Sequence, residues 1–143
     1  TVAGAFWEGE QQIHYRITAL NLENLVDINN RYHSEQETAE LFALADAVVR
    51  PFLSATGRGV VPIPYHFVKP LVVTNVGGCP DVVTEGKTGY CLPPGNAKSL
   101  AQAISKLTRE SCLSMHPEIM EIKNSLTWAK LAEVLLSGHA DRH

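Results

Sequence analysis

Cysteine is scarce in this 143-residue chain: Cys79, Cys91 and Cys112 are an odd count without CxxC spacing. Neither a disulfide framework nor a zinc knuckle is expected, and a reducing, cytoplasmic setting fits best. Long apolar runs are missing too. None reaches the roughly 18–20 residues of a membrane span, and the longest, residues 43–49, is interrupted by Asp46. Charge of one sign is weak, with twelve Lys and Arg against fifteen Asp and Glu for a net −3. Nothing in that balance draws the chain to nucleic acid or to an anionic membrane. The GxGxxG, Walker A and GxSxG patterns do not occur, so the enzyme classes they mark recede. The histidines form no HExxH motif, and no metal site is expected. There is no starting Met, no basic-then-apolar leader, no internal repeat and no low-complexity tract, so the chain reads as part of a longer protein.

What is present is an ordinary globular balance, 45% hydrophobic and 19% charged residues, enough to bury one core across 1–143. Short β-rich runs alternate with longer helical ones, the pattern of an α/β fold with helices on both faces of a parallel sheet. A strand end at Val2 and Ala3 stops at Gly4. Residues 8–21 then carry Ile13, Ile17 and Leu20 on one helical face, and 24–29 read as a second strand. Ser34 and Glu37 form a capping box, each side chain satisfying an orphan backbone N–H, for a helix running to about Ala45. The unbroken apolar runs 47–49 and 71–73 read as central strands. Residues 90–92 make a short strand, Asn96 caps a helix with Leu100, Ile104 and Leu107 inward, and Thr127 opens a last helix with Trp128, Leu131, Val134 and Leu135 on its packed face.

In open parallel sheets ligands bind beyond the carboxyl ends of the strands, so residues 4–8, 30–34, 52–59 and 75–80 are the candidate loops. The third is the most informative. Ser54, Thr56, Gly57, Arg58 and Gly59 follow an apolar strand and precede a candidate helix start. Bare glycine backbone, hydroxyls and a guanidinium fork there suit a phosphate, although a plain strand-to-helix turn uses Gly, Ser and Thr as well. Gly77 and Gly78 end the next strand, where uncovered backbone can face a ligand or simply turn tightly.

Read in order, residues 45–51 (ADAVVRP), 69–83 (KPLVVTNVGGCPDVV) and 85–90 (EGKTGY) resemble the group 1 glycosyltransferases. The chain is similar over nearly its whole length to the C-terminal, nucleotide-sugar-binding domain of the retaining, two-domain (GT-B) members. The resemblance implies a Rossmann-like, doubly wound parallel sheet, the C-terminal half of a GT-B fold. It also implies transfer of a sugar from a nucleotide diphosphate sugar, with retention, without a cofactor and without an obligatory metal. Ser54, Thr56, Gly57, Arg58 and Gly59 match the loop at the donor diphosphate, where hydrogen-bond donors stabilise the charge of the leaving group. Arg31, Tyr32 and His33 match the turn that meets the nucleobase, mostly through backbone.

The departures carry information as well. Where the family has Glu-x7-Glu, this sequence has Ala55 and Ile63, neither able to accept a hydrogen bond, although a subset of the family carries a Ser-Ala-Thr loop like this one. Pro62 and Pro64 predict a kinked or short helix after the loop. The acceptor-binding domain, and the first strand and helix of this domain, would precede Thr1, and without them the chain is not expected to be catalytic alone. In the usual strand order that first strand is central, so its absence would leave unpaired edges that invite a homodimer. The competing expectation is a non-catalytic remnant or interaction module that keeps the fold. An epimerase of the same architecture is a more distant third.

Overall fold

The computed structural model describes residues 1–6, 9–54 and 63–126. The fold is α/β and, among the described residues, every strand pair is parallel, as the alternation of runs predicts. The chain divides into two compact units, Thr1–Leu41 and Phe42–His143.

In the first unit, β1 (Val2–Ala3) pairs with β2 (Ile28–Asn29), and α1 (Glu10–Ala19) lies between them in sequence. The expected helix over 8–21 is shortened at its C-terminal end by Asn21. That residue adopts φ 53°, and the Leu22 and Asn21 amides donate back to the Ile17 and Thr18 carbonyls. This is a Schellman stop, with Asn in the left-handed position it tolerates better than most residues. The expected strand 24–29 shrinks to Ile28–Asn29 because the Leu25 and Val26 amides both return to the Leu22 carbonyl and hold a turn. Nor does α1 bury a full face: Ile13 and Ile17 are half-buried, and Leu20 is 65% exposed.

The capping box appears as expected at the start of α2 (Glu35–Leu44). The Ser34 amide donates to Glu37 Oε2 at 2.9 Å, and the Glu37 amide donates to Ser34 Oγ at 3.3 Å.

The second unit contains β3 (Val48–Arg50), β4 (Leu71–Thr74) and β5 (Gly89–Leu92), adjacent in that order. All four residues of β4 are buried. The central-strand expectation therefore holds for 71–73 and needs correcting for 47–49: among the described residues β3 pairs with β4 alone, and Val49 is 37% exposed. A continuous apolar run reports that both faces of a strand suit a covered setting, not how many neighbours bond its edges. Tyr65, Leu71, Val73, Met115 and Ile119 form the centre of the core, with Val48, Val68, Val82 and Tyr90 packed around it.

Asn96 caps α4 (Ala97–Lys106) by accepting from the Ser99 amide. Leu100 and Leu107 turn partly inward, but Ile104 is 48% exposed and Ala103 is the residue fully buried. The seam runs through a small side chain, so Ile104 sits at its rim. The sequence reading passed over α5 (Arg109–Ser114), capped by Thr108, and α6 (His116–Ser125), which has Pro117 in its first turn. The expected helix from Thr127, with Trp128, Leu131, Val134 and Leu135, lies outside the described residues. Among the described residues no helix is long and apolar enough to cross a membrane.

Between β3 and β4 stands α3 (Ile63–His66), with Pro64 in its first turn, where proline is tolerated; Pro62 lies outside the described residues. The helix also ends in a Schellman stop. The Lys69 amide donates to the Pro64 carbonyl and the Val68 amide to the Tyr65 carbonyl, with Val68 at φ 55° in the place glycine usually takes. Pro70 then prevents any continuation.

Candidate functional site

Parallel strands put their carboxyl ends at one edge of a sheet, so within the second unit the segments leaving β3, β4 and β5 emerge together. From β3 the chain passes Phe52 and Leu53 to Ser54, which is exposed. From β4 it enters 75–78, where Gly77 takes φ 55°, and then a 3-10 turn, Cys79–Val82. The two segments are tied: Thr74 Oγ1 at the end of β4 donates to the Phe52 carbonyl at 2.5 Å. The Asn75 amide donates to the Leu92 carbonyl at 2.6 Å, joining the β4 exit to that of β5. Of the residues expected at the donor diphosphate, Ser54 is thus placed at a strand-end edge. Thr56, Gly57, Arg58 and Gly59 lie outside the described residues, as does Ala55.

A buried polar knot joins α3 to the segment that leads into β5. The Tyr65 hydroxyl, on α3, divides its proton between the Val82 carbonyl at 2.8 Å and Thr88 Oγ1 at 3.0 Å. Thr88 Oγ1 also accepts from the Thr84 amide at 2.8 Å. Burial pushes the phenol above its ordinary pKa, and the Thr88 bond offsets part of that rise, so Tyr65 remains a protonated donor. Sequence reasoning missed this knot: Tyr65 follows no motif, and Thr88 entered only as one letter of the GKTGY run.

In the first unit the turn after β2 is held as tightly. Arg31 Nη2 lies 2.7 Å from Glu37 Oε1, and the Arg31 amide returns to the Asn29 carbonyl. Bonds from Arg31 and from the Ser34 backbone hold the Glu37 carboxyl down at about 2, well below its usual range. The Phe6 amide donates to Asn30 Oδ1 at 2.8 Å, linking the exits of β1 and β2. Tyr32 is 89% exposed. His33 Nε2 is shielded from solvent and has no hydrogen-bond partner among the described residues. With the Arg31 guanidinium engaged by Glu37, what this turn offers a ligand is chiefly backbone and the Tyr32 ring. Among the described residues no cluster of His, Cys, Asp or Glu could hold a metal ion.

The fold is shared with solved glycosyltransferases. A glycosyltransferase from Rickettsia africae superposes with a TM-score of 0.69 at 19% identity, over 89% of this chain and 34% of the other. Anabaena Alr3699/HepE in complex with UDP gives 0.63 at 24%, over 94% and 40%. Sucrose-phosphate synthase from Thermosynechococcus elongatus gives 0.64 at 21%, over 96% and 38%. The chain thus spans between a third and two-fifths of the length of these structures. No curated protein sequence matches it. The family model described as glycosyl transferases group 1 matches residues 1–122, and with that match over most of its length, on this parallel α/β frame, the chain belongs to the group 1 glycosyl transferases.

Proposed function

We propose that residues 1–143 are donor-binding domain of a retaining glycosyl transferase, taking a nucleotide diphosphate sugar and relying on a separate acceptor-binding domain for turnover. The observation that carries this reading is the gathering of Ser54 and the 75–78 turn at one edge of the sheet, tied by the Thr74 to Phe52 bond. Strand-end backbone of that kind suits a diphosphate. Solved Anabaena Alr3699/HepE complexes contain UDP, UDP-glucose, or UDP and glucose, which supports a nucleotide ligand for this chain too. In this reading Thr56, Gly57, Arg58 and Gly59 complete the diphosphate contacts, and Arg31, Tyr32 and His33 meet the nucleobase. The chemistry is electrostatic: Arg58 and backbone N–H groups stabilise negative charge as the glycosidic bond to the leaving nucleoside diphosphate breaks. Three cysteines without CxxC spacing suit a cytoplasmic setting.

A second reading, a non-catalytic remnant that keeps the fold, is favoured by one observation. Ile63 opens α3 with a 45% exposed apolar side chain where the family carries a glutamate. Titration with UDP and GDP, followed by amide NMR, separates the two. Donor binding is expected to move the resonances of Ser54 and 75–78 at millimolar nucleotide. Arg58→Ala is expected to weaken that binding by about 1–3 kcal/mol if the guanidinium meets phosphate. Resonances unmoved at millimolar UDP and GDP decide for the remnant, and an unchanged affinity in Arg58→Ala removes that residue from the site.

A further inference from the structure

The Ser34 cap needs one oxygen of the Glu37 carboxylate. Oε2 takes the Ser34 amide at 2.9 Å, which completes the capping box. The other oxygen serves Arg31, three residues ahead of the cap, whose Nη2 lies 2.7 Å from Oε1. An exposed pair of this kind contributes little to stability, so its larger effect is on geometry. The guanidinium is a rigid planar fork. Once Glu37 fixes Nη2, Nη1 is aimed as well, and it donates to the Tyr32 carbonyl at 3.4 Å.

That carbonyl belongs to the peptide between Tyr32 and His33. The peptide is trans, so its N–H points opposite to its C=O. With the carbonyl turned to the Arg31 fork, the His33 N–H is turned away from it, and among the described residues that N–H donates to no partner. The neighbouring ties stop short of this peptide. The Phe6 amide on Asn30 Oδ1 and the Arg31 amide on the Asn29 carbonyl hold the first residues of the turn to the exits of β1 and β2, and the cap holds Ser34. Between them, among the described residues, it is the Arg31 arm that reaches the 32–33 peptide. The turn leaves the carboxyl end of β2, the side on which open parallel sheets take ligands.

We propose that Glu37 is a positioning residue for the nucleobase: through Arg31 it sets the 32–33 peptide so that the His33 N–H is presented as a free donor to the edge of the base. This rests on the donor-binding reading above, in which residues 31–33 meet the base. Glu37 touches no ligand in this arrangement. The role carries a sign that a direct contact would not. Were Arg31 a direct partner of the anionic nucleotide, removing its acid would free a cation and tighten binding. As a positioning pair, loss of either member weakens binding.

The experiment uses the 143-residue chain, UDP and GDP as probes, and amide NMR with thermal melting on each variant. The nucleotide that binds is expected to move the His33 amide in the wild type. Glu37→Gln and Arg31→Met are each expected to weaken it by about three- to tenfold, the scale of one lost hydrogen bond, and to displace the Tyr32 and His33 amides in the ligand-free protein. Because the two residues act as one unit, the double variant is expected to fall no further than either single one. Ala39→Gly, which loosens α2 from within, is expected to lower the melting temperature while leaving nucleotide affinity alone. Unchanged or tighter binding in Glu37→Gln, beside a wild type that binds, overturns the positioning role and leaves the donor reading standing. A His33 amide that the bound nucleotide does not move, or losses that add in the double variant, have the same consequence. Equal loss of affinity in Ala39→Gly assigns the effect to general loosening of α2 and also overturns the proposal. A wild type that binds neither UDP nor GDP overturns the donor reading, and the positioning role with it.

Discussion

Val68 holds a left-handed conformation, φ 55°, that costs a β-branched residue roughly 1–2 kcal/mol. It is tolerated because the stop it makes for α3 satisfies two carbonyls, and because its side chain packs against the core. Val68→Gly relieves the strain but gives up those contacts and adds chain entropy, so urea unfolding is expected to move by less than about 1 kcal/mol. Val73→Ala, which relieves no such strain at a fully buried site, is expected to cost roughly 2–3 kcal/mol. Glu37 makes a second residue-scale case. Its folded pKa of about 2 lies below the ordinary carboxylate value, so its contribution is fully present above about pH 4.5 and is lost as pH falls through 2. Melting curves are expected to place wild type above Glu37→Gln at pH 7, the difference closing between pH 4.5 and 2. Because the pair is exposed, added salt is expected to narrow the gap at pH 7.

At the scale of elements, β4 and β5 depend on a missing side chain. Leu71 and Gly89 are opposed in the ladder, and a Cβ on Gly89 would lie 1.7 Å from the Leu71 carbonyl oxygen, which is backbone and cannot swing away. Gly89→Ala is therefore expected to cost at least about 3 kcal/mol or to prevent folding, by loss of the first β4 to β5 pair. Gly86→Ala meets only open space and a left-handed φ of 71°, and chemical denaturation is expected to show a loss nearer about 1 kcal/mol. Other element boundaries were legible for equally local reasons. Ser34 with Glu37, and Asn96 with Ser99, are short-range bonds between residues three apart, so sequence alone locates them. The end of α1 was misjudged because Asn21 stops a helix only through its backbone angle, which its identity permits without requiring.

Across the whole molecule burial is uneven. Neither α1 nor α2 buries a residue, whereas β4 is buried throughout and Ile119 of α6 is fully enclosed. Native-state hydrogen exchange is expected to show the amides of Val72, Val73 and Ile119 at least about 100-fold better protected than those of α1, since opening free energy follows buried contact. Equal protection would mean that α1 owes its order to something other than its own packing. By itself the sequence determined the α/β class, parallel strands near 47–49 and 71–73, both caps and the family, because periodicity and capping chemistry act within a few residues. Tertiary structure alone decided that β4 and not β3 is enclosed, that Ala103 and not Ile104 faces inward, and that Tyr65 meets Val82 and Thr88. Those depend on which distant segments the chain brings together, and a contact between residues 17 or 23 positions apart leaves no periodic trace in the residues that make it.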